Sequence, residues 1–317
     1  MNRAPLTTKN LSIGYPGLPV LFDDLNLSLY KGKLVCFMGP NGIGKSTLIR
    51  TLAGMHHPLK GEVNGISNRN IAVVLTERVN AGMMTAKELV SFGRYPYLGW
   101  KIKMSASDIS KIDEAVELVR IGELLDKPIY ELSDGQMQMV MIARALAQDT
   151  PVLLLDEPTA HLDLNNRVEI MNLLRRLAKE NDKAILVSTH ELDLALQTAD
   201  LVWLATPQKS VRIGIQEDLV LDGSFDQVFQ FKGFDLKTGK VKQEPYRKTG
   251  IHLIGEGHAY LWTKNALERN GFHIEVAAKL KLGIKTNEEK TAFEIQIDSY
   301  REKFGSIEEL LNFLSKY

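Results

Sequence analysis

Gly39-Pro40-Asn41-Gly42-Ile43-Gly44-Lys45-Ser46 fits the spacing G-x-x-x-x-G-K-[ST], and the chemistry open to it is phosphate binding. Glycines at these positions let successive backbone N–H groups curl around a phosphate, and a helix starting near Lys45 would add its positive end. Lys45 would reach the β- and γ-phosphates of a nucleoside triphosphate, and Ser46 would ligate Mg²⁺. Gly39, Asn41, Gly42, Gly44, Lys45, Ser46 and Thr47 are therefore the candidate phosphate contacts. A second constellation complements it. Val152-Leu153-Leu154-Leu155 ends in Asp156-Glu157, two carboxylates that leave a buried strand at its C-terminal end. Two acids placed together there need a compensating cation. Mg²⁺ held through Asp156 would supply it, and Glu157 could then orient or deprotonate an attacking water.

These residues need a parallel sheet to bring them together. Leu34 to Met38, Val152 to Leu155 and Ala184 to Val187 are continuous apolar runs, as expected of strands buried on both faces. A helix from about Asn165 to Lys179 separates the last two. This alternation predicts an α/β fold with helices covering a parallel sheet. Before it, Leu11–Tyr15 and Val20–Tyr30 read as short strands punctuated by Gly14, Pro16, Gly17 and Pro19, giving a hairpin-rich β region over residues 6–35. Residues 81–148 turn helical, with segments at Thr85–Phe92, Ser107–Val119 and Gln136–Ala147. A charged stretch from Lys232 to Gly250 reads as a linker to a second α/β unit. In that unit Ile251–Ile254, Phe272–Ala277 and Thr291–Ile297 read as strands, Tyr260–Asn270 as a helix, and Ser306 with Glu309 as a capping box.

Composition narrows the class. The 317 residues carry 39 Lys+Arg against 39 Asp+Glu, and this neutral balance argues against a nucleic-acid protein, which normally carries a basic excess. The lone Cys36 sits in an apolar run and offers no disulfide framework, which fits a reducing compartment. No stretch approaches the roughly 20 apolar residues of a membrane span, and Met1–Pro5 lacks the apolar segment of a secretion signal. The expectation is a cytosolic protein that meets a membrane only through a partner.

Further motifs stand in a telling order. Leu132-Ser133-Asp134-Gly135-Gln136 leads a helix ending Ile142-Ala143-Arg144-Ala145-Leu146, Ala160-His161-Leu162-Asp163 follows Pro158-Thr159, and Ser188-Thr189-His190 ends an apolar run. With the phosphate loop and the acid pair, they make residues 6 to 230 resemble the ABC (ATP-binding cassette) ATPases. The resemblance implies a P-loop NTPase core with an antiparallel β subdomain and a helical insert over about residues 81–148. It implies a cassette domain over residues 1–245, leaving a small α/β domain at residues 246–317. Tyr15 would stack on adenine, and His190 would hold the γ-phosphate. Ser133, Gly135 and Gln136 would clamp the nucleotide of a second copy across a head-to-tail homodimer, with Asp163 crossing the interface. Lys45, Glu157 and His190 would be the catalytic residues, ATP and Mg²⁺ the bound species, and transmembrane permease subunits the partners.

The chain departs from the family pattern at two places. Thr76-Glu77 stands where the family places a magnesium- and water-sensing glutamine, so that Thr76 would keep part of that ligation and Glu77 would substitute. Leu132-Ser133-Asp134-Gly135-Gln136 resembles the family's signature loop, but Asp134 replaces its second glycine, and that carboxylate must point away from phosphate. The segment Glu88 to Gly99, with Arg94-Tyr95-Pro96-Tyr97 at its centre, resembles importers of iron-siderophore, haem or cobalamin, which also use a periplasmic or lipoprotein binding component. Two other readings stay open here: a soluble ABC ATPase outside transport, and a catalytically weak regulatory nucleotide-binding module. The tail from about residue 246 carries no motif that assigns it a role; a structural or dimer-supporting module is the expectation, with a ligand-sensing one as the alternative.

Overall fold

The computed structural model describes the chain apart from residues 1–3, 66, 77–81, 101–102, 231–233, 237–239, 242–244, 287–290, 298–299 and 316–317. It divides into two compact units, Met1–Gln230 and Phe231–Tyr317.

The first unit is built on a six-stranded sheet. Its spatial order is Val211–Gly214, Leu201–Ala205, Lys33–Met38, Ala184–Thr189, Val152–Asp156, Ile71–Val74, parallel except for the first pair. Residues 34–38 and 152–156 are all buried, as strands covered on both faces require. Burial pushes the Cys36 thiol up to about 12, so it behaves as a core hydrophobe.

A smaller antiparallel sheet is centred on Leu6–Ile13, which pairs with Phe22–Leu25, Ser28–Leu29 and Lys60–Asn64. The first three strands lie in the predicted β region. Lys60–Asn64 lies outside it because four of its five residues are exposed, leaving no apolar alternation to read. The inner residues of both sheets meet in one core that includes Leu11, Phe22, Phe37, Leu48, Leu154, Leu186 and Trp203. Each large apolar side chain buried there contributes about 1.5–3 kcal/mol.

The helical insert holds Ala86–Ser91, Ala106–Val119 and Asp134–Ala147. Each begins at a reciprocal capping box, with Thr85/Glu88, Ser105/Asp108 and Ser133/Gln136 as the pairs. The helix Leu164–Glu180 is capped by Asp163.

In the second unit the sheet order is His273–Ile274, Gly250–Ile254, Leu280–Thr286, Thr291–Ile297, Tyr300–Phe304. The helices Gly257–Arg269 and Ile307–Leu314 contribute to a separate core around Leu253, Leu267, Leu282, Phe293, Ile295 and Leu310. Three corrections apply. The predicted strand Phe272–Ala277 shrinks to two residues, because Phe272 turns inward and the chain then runs into an exposed turn at Val276 and Ala277. Within the predicted linker, Phe234–Asp235 pairs with Lys240–Val241, so that stretch is not featureless. At the last helix only half of the capping box forms. Ser306 accepts from Glu309 N–H, while the Glu309 carboxylate accepts from Gly305 N–H.

Candidate active site

Three neighbouring strands deliver the site. Parallel pairing sets Met38 beside Thr189 and Asp156 beside Ser188, so the phosphate loop, the acid pair and His190 all leave the carboxyl-terminal edge of the sheet. That edge is where ligands of open α/β sheets bind. Gly42 and Gly44 take φ values of +78° and +112°, which only glycine adopts at little cost, and the helix Lys45–Leu52 begins at once behind them. Gly39 is needed for a different reason: a Cβ there would lie 2.8 Å from the Ala205 Cβ.

One cleft is lined by Tyr15, Leu21, Asn41, Gly42, Gly44, Lys45, Ser46, Thr47, Thr76 and Glu157. At its base the Lys45 ammonium, only 5% exposed, donates to the Gly39 carbonyl at 3.0 Å. It also lies 3.5 Å from a Glu157 oxygen, and the other Glu157 oxygen lies 3.2 Å from His190 Nδ1. Glu157 thus touches both of the other catalytic candidates. Its backbone sits at φ +49°, a costly position for a residue with a Cβ. The Glu157 N–H donates to the Ser188 carbonyl and to the Ser188 hydroxyl, both at 3.0 Å, which holds that conformation.

Ser188 was not singled out by its sequence context. Fully buried, it donates its hydroxyl to Asp156 Oδ1 at 2.6 Å while accepting from Glu157, so one hydroxyl orients both acids. Asp156 itself is 3% exposed. The Thr76 hydroxyl donates to the Asp156 carbonyl at 2.9 Å, tying the end of the edge strand to the acid pair. Glu77 lies outside the described residues.

Tyr15 is half exposed beside the loop, and its hydroxyl lies 3.4 Å from Thr47 Oγ1. Its ring packs at 5.0 Å against His56, whose Nε2 meets the Gly14 carbonyl at 2.8 Å; His56 is a second residue the sequence did not reveal. Asp163 uses its carboxylate within its own chain, as the cap that accepts from Asn166. Asn166 in turn packs where a Cβ on Gly135 would stand, 2.8 Å away, so Gly135 lets the signature helix approach the helix that follows Asp163. Asp134 occupies the first turn of the helix Asp134–Ala147, where a carboxylate complements the positive end. A second cleft, lined by Thr76, Asp134, Met137, Met141, Glu157, His161 and Leu162, lies between this helix and the acid pair.

Residues 22–160 match the family model described as ABC transporter, and residues 247–315 match the iron ABC transporter C-terminal domain. An ABC transporter ATP-binding protein of Methanocaldococcus jannaschii is 39% identical over 259 residues, which cover 75% of this chain and 89% of that one. The chain belongs to the ABC transporter ATP-binding family.

The iron(3+)-hydroxamate import ATP-binding protein of Bacillus subtilis is 38% identical, with 71% of this chain and 87% of that protein covered. Among solved structures, a chain assigned to a metal-chelate type ABC transporter in an inward-facing conformation gives a TM-score of 0.67 at 27% identity, covering 72% of this chain and 90% of its own. A dimeric bacterial ABC transporter cassette gives 0.57 at 27% identity, covering 66% and 98%. As a member of this family the cassette is an ATP-binding subunit of a transporter. Among the described residues, no helix is long and apolar enough to cross a membrane.

Proposed function

We propose that the cassette hydrolyses ATP to drive import of an iron complex, an iron-siderophore above all, with haem and cobalamin as the related cargoes. The observation that carries the ATPase part is the single cleft in which the phosphate loop, Tyr15, Thr76 and Glu157 face one another. Tyr15 would stack on the adenine, and the loop amides with Lys45 would wrap the phosphates. Lys45 and His190 both touch Glu157, so a γ-phosphate engaged by them would lie beside the carboxylate that positions the attacking water.

Magnesium fits the donor set. Asp156 and the Ser46 hydroxyl are hard oxygen donors, and no group of three or more His, Cys, Asp or Glu is placed to hold a metal alone among the described residues. Such a site suits an ion that keeps waters and shares substrate phosphates. When bound, the ion would neutralise charge developing on the phosphate oxygens. The Ser188 hydroxyl holds the Asp156 carboxylate, and the Thr76 hydroxyl holds its main-chain carbonyl.

In a head-to-tail pair, Ser133, Gly135 and Gln136 would face the nucleotide of the second copy, with the amino end of the helix Asp134–Ala147 adding its dipole. The aromatic segment around Tyr95 and Tyr97, both more than a third exposed, would meet the permease and place the cassette on the inner face of the membrane. The groove of Met83, Met84, Lys87, Phe92, Tyr95 and Met104 supports that docking, since methionines adapt to an apolar partner. Iron as cargo is supported by the C-terminal match and by the hydroxamate-import relative. A periplasmic or lipoprotein binding component would then deliver the chelate. The test is uptake of radiolabelled ferric siderophore by cells whose only copy of this subunit is wild type or Glu157→Gln. Uptake in the first and none in the second is expected; equal uptake in both would refute the proposal.

A further inference from the structure

The helix Asp134–Ala147 carries Ser133 and Gly135 at one end, and at about 1.5 Å per residue its other end lies about 21 Å away. What holds that far end is the segment Phe92–Tyr97. Gly93 packs so tightly on the helix that a Cβ would come within 2.2 Å of the Arg144 carbonyl oxygen. Arg94 follows, its side chain 12% exposed. Its Nη1 donates to the carbonyls of Ala147 at 3.1 Å and Gln148 at 3.4 Å, the last turn of the helix, where a cation complements the dipole. Its Nε and Nη2 both lie 2.9 Å from Asp108 Oδ1, whose carboxylate completes the capping box of Ala106–Val119 with Ser105. One guanidinium therefore pins two helices of the insert.

The same segment also reaches the core. The Arg94 guanidinium lies 4.3 Å from the centre of the Tyr97 ring, and the Tyr97 hydroxyl donates to the Arg69 carbonyl at 2.9 Å. Arg69 lies two residues before the strand Ile71–Val74, beyond which Thr76 donates to the Asp156 carbonyl. A second tie joins helix and strand directly, from Arg144 Nη2 to the Val73 carbonyl at 3.4 Å.

We propose that Arg94 and Tyr97 are positioning residues that together set the angle of the signature helix against the sheet, and so govern how well Ser133 and Gly135 meet the nucleotide of a second copy. The inference rests on the reading of those two residues as a clamp acting between copies. It makes a specific division: the joint touches neither Tyr15 nor the phosphate loop, so it affects turnover and leaves nucleotide affinity of the single chain alone. Tyr97 and Arg94 act through one another, and their effects are coupled.

The experiment compares wild type, Tyr97→Phe, Arg94→Lys and the double variant as full-length chains. Tyr97→Phe keeps the ring and removes one hydroxyl, so it spares the fold. Lysine keeps the charge but cannot span Asp108 and two carbonyls at once. The expected result is kcat for ATP lowered about fivefold by Tyr97→Phe, the scale of one hydrogen bond, and further by Arg94→Lys. The Kd for Mg·ATPγS, measured by calorimetry, stays within about twofold, and the double variant loses less than the product of the two single effects. Unchanged kcat in both single variants, or a fall in affinity matching the fall in kcat, overturns the inference. A wild type with no turnover overturns the ATPase reading and this inference with it, whereas turnover indifferent to both substitutions overturns this inference alone.

Discussion

Glu157 combines a left-handed backbone with contacts to Lys45 and His190, and its amide is anchored on Ser188. The Ser188 hydroxyl is therefore the smallest group on which both acids depend. Ser188→Ala should lower kcat about tenfold, because it frees Asp156 Oδ1 and leaves the Glu157 N–H with the Ser188 carbonyl alone. It should also cost about 1–3 kcal/mol of stability through the lost buried hydrogen bonds, which thermal melting would read. A variant with normal kcat would show that the hydroxyl does not orient the pair. At this scale the phosphate loop and the acid pair stood out in the chain because each motif is local, with its chemistry written in consecutive residues, whereas His190 became a candidate only through the family resemblance. Ser188 could not. Its partners lie 31 and 32 residues away and meet it only through the register that sets Asp156 beside it. His56, which backs Tyr15, lies 41 positions further along the chain and was hidden for the same reason.

The helices of the insert owe their start points to capping boxes, and one of those boxes carries a pH signature. Hydrogen bonds from Ser105 to Asp108, then from Arg94, lower its pKa from the usual 3.8 to about 2. A carboxyl depressed on folding stabilises the fold above its unfolded pKa and loses that contribution as pH falls through the folded one. The contribution is thus full above about pH 4 and lost between about 4 and 2. Asp108→Asn should flatten the acid limb of the stability curve in that window, and an unchanged limb would contradict the assignment. Packing in the same region gives a second expectation. Gly93→Ala would force a Cβ against the Arg144 carbonyl and should destabilise the chain by about 1–3 kcal/mol, measurable by urea unfolding. Long periodic helices and the apolar strands Lys33–Met38, Val152–Asp156 and Ala184–Thr189 were legible in the sequence, since burial writes their pattern. The charged strand Tyr300–Phe304 was not, because only Phe304 among its residues is buried.

At the scale of the molecule, the two units have separate cores, one around Phe37, Leu154 and Trp203 and the other around Leu253, Phe293 and Leu310. A chain ending at Gln230 should therefore fold and bind Mg·ATP within about threefold of the full chain, since every residue lining the proposed nucleotide cleft lies before Thr159. Loss of binding on that truncation would place part of the site in the second unit. The presence of a second α/β unit was legible from its own alternating strands and capped helix. Its kinship to the iron ABC transporter C-terminal domain was not, because no residue in it carries a chemistry that spacing alone exposes. Everything proposed for transport depends on the nucleotide cleft of the first unit, and the most direct test is Mg·ATP binding and hydrolysis by the purified full-length chain. The account predicts saturable binding with turnover that falls at least about a hundredfold in Glu157→Gln while binding persists, and that is lost in Lys45→Ala. A folded wild-type chain that does not bind Mg·ATP, or a Lys45→Ala variant that turns over like wild type, would contradict it.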